Sequence, residues 1–565
     1  MATRARPKRP TRNRKTPPGP RAARSAPVKP AFESFVVRLE PRSSSAGAAA
    51  KRLTAALPGK WIVRPLAAQL GEYELVPAAR QRLASGTAWE LARALRTRPD
   101  IEFAEPLFAY AGLEPDPQHL EDYLAPHERP ETKARAIGGE EDKACARDDC
   151  QWSLKKASVL AAWELPPPPG GAPFGGNIVV GHPDTGYTLH PDLWGADGAQ
   201  VRVASGFDFV DEDPNARDPL TSDFAGHGTS TASVIMSPAA AAGVREVSGV
   251  APRASIVPLR VSTSVVHFSF SRLTRAIYHA VDVGKVDLLS MSLGGPIPSE
   301  ALERALLYAI ERGVIPLAAA GNIWPFVVYP AKYSHVVAVA ATNCLDQKWN
   351  GSASGSAVDV AAPGESVWRA AAEIKNGSPR YKVGMSSGTS YAVATTAGAC
   401  ALWLAFHGKF ALAQRYGNAG LARAFRRVLT SSGVRTPNGW PTDRMGAGIL
   451  DAVKLLTAPL PLTTAGVRSA APVGAVERAL DYFPDDDPDR VMHALTASVP
   501  AERATKSRAV RRAMDEAGDE LLFQLATDPA LRARVHERAT GAGVRTIGKP
   551  VRSDASPRCK ALFGL

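Results

Sequence analysis

Asp184, His227 and Ser390 lie in three short glycine-punctuated runs: Gly181-His182-Pro183-Asp184-Thr185-Gly186, Gly226-His227-Gly228-Thr229 and Gly388-Thr389-Ser390. A serine hydroxyl is a poor nucleophile at neutral pH and needs a base within hydrogen-bond reach. An imidazole can take that proton and later hand it to a leaving amine. A carboxylate on the far ring nitrogen fixes the tautomer and stabilises the imidazolium. The oxyanion that develops needs a preorganised donor. Asn322, ending Ala318-Ala319-Ala320-Gly321-Asn322, can supply a side-chain amide beside the backbone N–H of Ser390. The chemistry this set would carry is acyl transfer. Any one of these residues alone would more often be structural, and His182, His190 and Asp192 are read that way.

Such groups must be held at the ends of strands and the starts of helices. From Gln151 to about Thr457, short apolar runs alternate with helical ones, and strands are expected at 178–180, 255–261, 286–291, 314–319 and 336–341. That alternation predicts an α/β fold, a doubly wound, mostly parallel sheet with helices on both faces. In such sheets, sites form beyond the carboxyl ends of the strands. Asp184 would end a strand, while His227 and Ser390 would open helices. From Val383 to Gly408 no Asp, Glu, Lys or Arg occurs. The stretch is long enough to cross a bilayer, but its first half is rich in Ser, Thr and Gly. It is read as a helix buried at the centre of a soluble domain, with no membrane span.

The 565 residues are 45% apolar and 22% charged, which excludes wholesale disorder, and the 47 glycines and 47 prolines show no collagen period. The net charge of +13 is concentrated in residues 1–31, whose first thirty hold ten basic groups, seven prolines and no acid. This basic arm is read as a solvated, disordered extension; without interleaved aromatics, nucleic acid is not an expected partner. It lacks the apolar core of a secretory signal, so a cytoplasmic location is expected. Five cysteines cannot staple so long a chain. Cys145 and Cys150 could form a local disulfide, Cys344, Cys400 and Cys559 have no evident partners, and the odd count favours a reducing compartment.

Residues 32–110 read strand (35–39), helix (48–57), two strands (61–63, 73–76), helix (88–96) and strand (101–104), the ferredoxin-like α+β order. Residues 111–150, with eleven acids against five bases, read as an acidic linker. Residues 151–458 would be the catalytic domain. Residues 459–565 would be a helical C-terminal extension, with helices at 475–482 and 506–524.

The order Asp, His, Ser, and eight short pieces in sequence, resemble the subtilase (subtilisin-like) serine peptidases. The pieces are Asp184-Thr185-Gly186, His190-Pro191-Asp192-Leu193, Gly226-His227-Gly228-Thr229 and Gly249-Val250-Ala251-Pro252, then Ser290-Met291-Ser292-Leu293-Gly294-Gly295, Ala319-Ala320-Gly321-Asn322, Tyr329-Pro330-Ala331-Lys332-Tyr333 and Gly388-Thr389-Ser390. The resemblance implies a serine endopeptidase acting on proteins or peptides. It implies that Ser292, Leu293, Gly294, Ala319, Ala320 and Gly321 edge the substrate as paired strands, and that Tyr329-Pro330 is a cis peptide. Residues 32–110 would be a propeptide, a partner of the chain's own catalytic domain that inhibits it until the linker is cut.

Tyr391, Ala394 and Thr395 stand where the family usually has Met, Pro and His, and Tyr391 would sit on the leaving-group side. Pro183 is unusual because proline removes a ladder donor at a strand end. The run Ile323-Trp324-Pro325-Phe326-Val327-Val328 carries no acid, so an apolar or aromatic residue is expected on the acyl side of the cut. No cofactor and no metal are expected. The family often holds calcium, but Ser237-Pro238-Ala239-Ala240 lacks the ligand pattern, and Asp211-Glu212-Asp213 and Asp485-Asp486-Asp487 read as solvated acidic loops. Two rivals remain. Gly384-Met385-Ser386-Ser387-Gly388 matches a hydrolase nucleophile elbow, although the acid and histidine that should follow lack the right context. A catalytically silent interaction protein, acting through its arm and tail, is the other.

Overall fold

The β-branched and alternating runs form strands, and the Ala- and Leu-rich runs between them form helices, in a computed structural model that describes residues 31–40, 51–55, 57–78, 83–109, 144–194, 201–222, 224–239, 247–267, 269–462, 475–483, 486–495, 503–541 and 554–563. The basic arm, nearly all of the acidic linker and parts of the expected helix at 48–57 lie outside these residues.

Strands β1 (Ala31–Leu39), β2 (Trp61–Ala67), β3 (Glu72–Pro77) and β4 (Ile101–Ala109) form an antiparallel sheet in the order β2-β3-β1-β4, with the helix Ser85–Arg96 between β3 and β4. This is the ferredoxin-like order that the sequence predicts. Side chains alternate along β1, yet both faces are buried. Phe35, Val37 and Leu39 join a core with Trp89 and Leu95 of the helix, whereas Val36 and Phe103 meet Ala301 of the next domain. A strand buried on both sides reads as a continuous apolar run, and Phe35-Val36-Val37 is one.

The second domain is built on a nine-stranded sheet. Its strands are β5 (Val179–Asp184), β6 (Phe207–Asp208), β7 (Ser255–Arg260), β8 (Leu288–Met291), β9 (Ile315–Ala319), β10 (Val337–Thr342) and β11 (Val360–Pro363), with β12 (Val367–Lys375) and β13 (Ser378–Ser386) making a separate hairpin. With β14 (Val434–Arg435) and β15 (Ile449–Leu450) the order is β14-β15-β11-β10-β9-β8-β5-β7-β6, all parallel except β14 with β15. The order reverses at β5, where a doubly wound sheet opens its crevice.

Pro183 fits because of register. The carbonyls of Ile178 and Asp184 face β7, and that of Val179 faces β8. Odd-numbered residues therefore turn to β8, whose pairing with β5 ends at Gly181. Pro183 stands on that side, and the ladder ends before it, as a strand end without a donor allows.

The uncharged stretch divides. Val383–Ser386 ends β13, and Thr389–His407 is a helix buried throughout except at its last two residues. It is long and apolar enough to cross a membrane, but here it forms the centre of the larger core. Ser386 ends a strand of the separate β12-β13 hairpin and not a strand of the parallel sheet, where a hydrolase nucleophile elbow stands, so that reading fails. Tyr391 and Ala394 join the core, and Thr395 is buried with its hydroxyl on the Tyr391 carbonyl.

The cysteine expectation is also corrected. Cys145 is bonded to Cys344, 199 residues away, and Cys150 is free. The helix Ala144–Arg147 carries Cys145, and Ala146 packs in the catalytic core. The end of the supposed linker thus belongs to the catalytic domain, and the cysteine argument for a reducing compartment falls away.

The extension is helical where described, over Ala475–Leu480, Pro488–Leu495, Arg503–Thr527, Pro529–Thr540 and Pro557–Phe563. Asp528 caps the fourth of these by accepting from the Leu531 N–H at 3.0 Å, and Pro529 follows at its first position.

Candidate active site

Asp184 is the last residue of β5, His227 the first of the helix His227–Met236, and Ser390 lies in the first turn of the helix Thr389–His407. His227 Nδ1 donates to Asp184 Oδ1 at 2.7 Å. Asp184 is 1% exposed. Burial alone would raise its carboxyl, but the charge and hydrogen bond of His227 prevail, and the backbone N–H of Thr185 adds a bond at 2.7 Å. The carboxyl is held below its ordinary range and stays ionised against the imidazole. Ser390 is buried, and its hydroxyl donates to the Ser292 carbonyl at 3.3 Å. Among the described residues no hydrogen bond joins it to His227.

Asn322 follows β9 and is locked by the serine helix. Its Oδ1 accepts from the Thr389 N–H at 2.9 Å and from the Thr389 hydroxyl at 2.7 Å. Because a backbone N–H can only donate, this end of the amide must be the oxygen, and the Nδ2 end is left to donate elsewhere. A Cβ built on Gly388 would lie 3.5 Å from that Nδ2, so the amide nitrogen sits at the entry to Ser390.

Residues outside the expected set support it. Thr231, one turn after His227, donates to Asp184 Oδ2 at 3.2 Å and meets His182 Nε2 at 3.0 Å; burial pushes the His182 pKa down. The Thr185 hydroxyl donates to Asp218 at 2.7 Å and accepts the Gly228 N–H at 3.0 Å, and Asp218 also accepts from the Gly226 N–H. Thr231 was accessible from its spacing of four on the same helix face, but no local pattern marks Asp218. Two glycines are required here. Gly226 has φ +73°, and a Cβ on Gly228 would come within 2.1 Å of the Gly186 carbonyl oxygen.

Beside Ser390 lies a cavity of about 40 Å³. Ser292, Leu293, Gly294, Ala319 and Gly321 line it, and Ala320 does not. Successive residues of an extended chain face opposite ways, so Ala320 turns into the core on the other side of the sheet. The N–H groups of Gly294, Ala320 and Gly321 are already spent on Val265, Val339 and Thr389. In this state these residues form a wall for substrate more than an open strand edge. Ile323, Trp324 and Val328 complete the wall, and no acid lines it; Phe326 and Val327 pack elsewhere. Tyr329-Pro330 is cis, as the resemblance implies.

Of the acidic loops, Asp211 pairs with Arg260 and Glu212 with Arg275. Among the described residues no group of three or more His, Cys, Asp or Glu is arranged to hold a metal ion.

Comparison with known proteins places this geometry. The family model described as the subtilase family matches residues 175–448. Thermitase of Thermoactinomyces vulgaris is 34% identical over 263 residues, 46% of this chain and 84% of that protein. Subtilisin E of Bacillus subtilis is 35% identical over 246 residues, 42% of this chain and 58% of that one. Among solved structures, fervidolysin of Fervidobacterium pennivorans, a keratinolytic enzyme related to subtilisin, superposes with a TM-score of 0.53 at 22% identity, over 77% of this chain and 62% of that one. That likeness is one of fold.

Proposed function

Since this chain belongs to the subtilase family and is a subtilisin-like serine peptidase, we propose that Asp184, His227 and Ser390 are its triad and Asn322 its side-chain oxyanion donor. The substrates are proteins or peptides. As substrate seats, the Ser390 hydroxyl exchanges the Ser292 carbonyl for His227 Nε2, a contact that commonly tightens only in the complex. Oγ attacks the carbonyl carbon while His227 takes its proton, and Asp184 steadies the imidazolium. The oxyanion is met by Asn322 Nδ2 and the Ser390 N–H. Collapse expels the amine, which leaves with the proton from His227, and water then cleaves the acyl-enzyme by the reverse roles. The observation that carries this reading is the pairing of the 2.7 Å His227–Asp184 bond with an Asn322 amide oriented by Thr389 at the head of the serine helix.

The apolar wall of Leu293, Trp324 and Val328 favours an apolar or aromatic residue on the acyl side of the cut; a peptide library with clear Arg preference would overturn this. The zymogen reading is supported by how residues 32–110 dock. Glu105 of β4 accepts from the Ser299 hydroxyl at 2.7 Å and from the Glu300 N–H at 2.9 Å, at the N-terminus of the helix Glu300–Glu311, where the first N–H groups have no partner within the helix. Glu74 accepts from Ser271 at the start of the helix Ser271–Asp282, and Glu72 from Tyr278 of the same helix. The silent-scaffold alternative finds no support, since the relatives named above are proteases and none of the four residues is missing. A fluorophosphonate probe applied to the wild type and to Ser390→Ala tests the proposal. Labelling of the wild type alone supports it, and a shortened labelled band adds self-processing. No label after mild proteolysis of the linker sinks it.

A further inference from the structure

The helical extension touches both other domains, and it does so with specific, buried contacts. Toward the inhibitory domain, Glu520 is 0% exposed. It pairs with Arg93 of the helix Ser85–Arg96 at 2.9 Å and accepts from the Ser556 N–H at 2.6 Å and the Ser556 hydroxyl at 2.7 Å. Phe523 lies against Phe108 of β4 with ring centroids 4.3 Å apart. At Gly86 the two backbones meet: its N–H donates to the Asp554 carbonyl at 2.9 Å, and a Cβ there would fall 2.6 Å from the Ser556 nitrogen. A buried carboxylate matched on both oxygens, with a glycine admitting a backbone, marks a fitted interface.

Toward the catalytic domain the same extension grips the rim of the cavity beside Ser390. Tyr482 donates to the Pro296 carbonyl at 3.0 Å and stands edge-on to Trp324 and Phe326, and Asp481 pairs with Lys332. The Arg532 guanidinium stacks 5.3 Å over Trp324, a residue of the cavity wall. One apolar core is therefore shared by all three parts, with Phe108, Trp324 and Phe523 among its members.

We propose that the C-terminal extension is a clasp that holds the inhibitory domain on the catalytic domain, so that cutting the linker alone leaves the peptidase silent until the extension lets go. The proposal rests on the zymogen reading above and adds its second lock. Without the extension, the inhibitory domain is held by its face on the catalytic domain. With it, a second face must open as well, and the two tethers raise each other's effective concentration. Residues 1–144 hold no cysteine, so a piece freed by a cut in the linker is kept by non-covalent contacts alone, those of its face on the catalytic domain and those of the clasp.

The test uses the full chain with a site for a sequence-specific protease placed between residues 120 and 140. Wild type, Gly86→Val and Phe523→Ala are cut there, then followed for peptide hydrolysis and for co-elution of the N-terminal fragment on gel filtration. Gly86→Val blocks the clasp from the inhibitory side and Phe523→Ala weakens it from the extension, so misfolding of one leaves the other as the test. Fluorophosphonate labelling after full release confirms that each variant keeps its nucleophile. The cut wild type is expected to retain the fragment, and the cut variants to lose it and gain activity at least about tenfold faster. Equal release and equal activation in all three would overturn the clasp. Full activity in the uncut wild type would instead overturn the zymogen reading.

Discussion

Asn322 shows how much depends on one orientation. Its oxygen is held by two donors from Thr389, which leaves the nitrogen to donate to the oxyanion in the mechanism proposed above. Removing a single oxyanion donor costs about 2.7–4 kcal/mol in comparable sites. Asn322→Ala is therefore expected to lower kcat about 10²–10³-fold with little change in KM, in steady-state assays on a peptide substrate. Glu105 gives a prediction in pH. Burial pushes its carboxyl up to about 7 in the docked state, opposed by the bonds from Ser299 and the helix N–H groups and aided by the charge of Glu300. A carboxyl raised from 4.5 takes up a proton on docking, so docking is strongest below pH 4.5 and weakens up to about pH 7. In the linker-cut protein, fragment release should accelerate across that window, and Glu105→Gln should flatten the profile. Both effects live on single side chains, yet only Asn322 stood out from its own segment. Nothing around Glu105 shows that a carboxylate there ends on a helix 195 residues further on.

The element that matters most is the serine helix, Thr389–His407. It carries Ser390, the proposed nucleophile, in its first turn and is apolar on every side, as a helix through the centre of a core must be. Trp403 is fully buried and packs against Phe425 with the rings tilted and their centroids 5.4 Å apart. Trp403→Ala should destabilise the catalytic domain by about 3–5 kcal/mol, read as a lower denaturation midpoint with fluorophosphonate labelling intact at low temperature. The uncharged run from Val383 foretold this helix but not its start, because β13 takes the first residues for its pairing with β12. Ala320 teaches the same lesson. The resemblance grouped it with Ala319 and Gly321, but the period of two in extended chain sends it to the opposite face.

At the scale of the whole molecule, the Cys145–Cys344 bond joins the end of the linker to the catalytic domain. On the zymogen reading proposed above, a cut that frees residues 32–110 without stripping this anchor must fall before the helix Ala144–Arg147, so the N-terminus of the active form is expected within residues 110–143, as mass spectrometry of the labelled band would show. Closing a long loop typically contributes about 2–5 kcal/mol. Cys344→Ser should lower stability by about that amount, whereas Cys150→Ser should not, and equal effects would return the pairing to the local one.

The sequence by itself carried the family's motifs, with Asp184, His227, Asn322 and Ser390 within them, the α/β alternation and the ferredoxin-like order before it. These are short-range signals: a motif spans three to six residues, and periodicity reports on a neighbour one or four positions away. Tertiary structure alone decided which cysteine Cys145 meets, how Thr389 orients Asn322, and that the extension reaches Arg93 and Trp324. Each of those contacts joins residues far apart in the chain, as Arg93 and Glu520 are by 427 positions. No local pattern encodes such a pairing, because its partner is chosen only when the folded cores bring the two surfaces together.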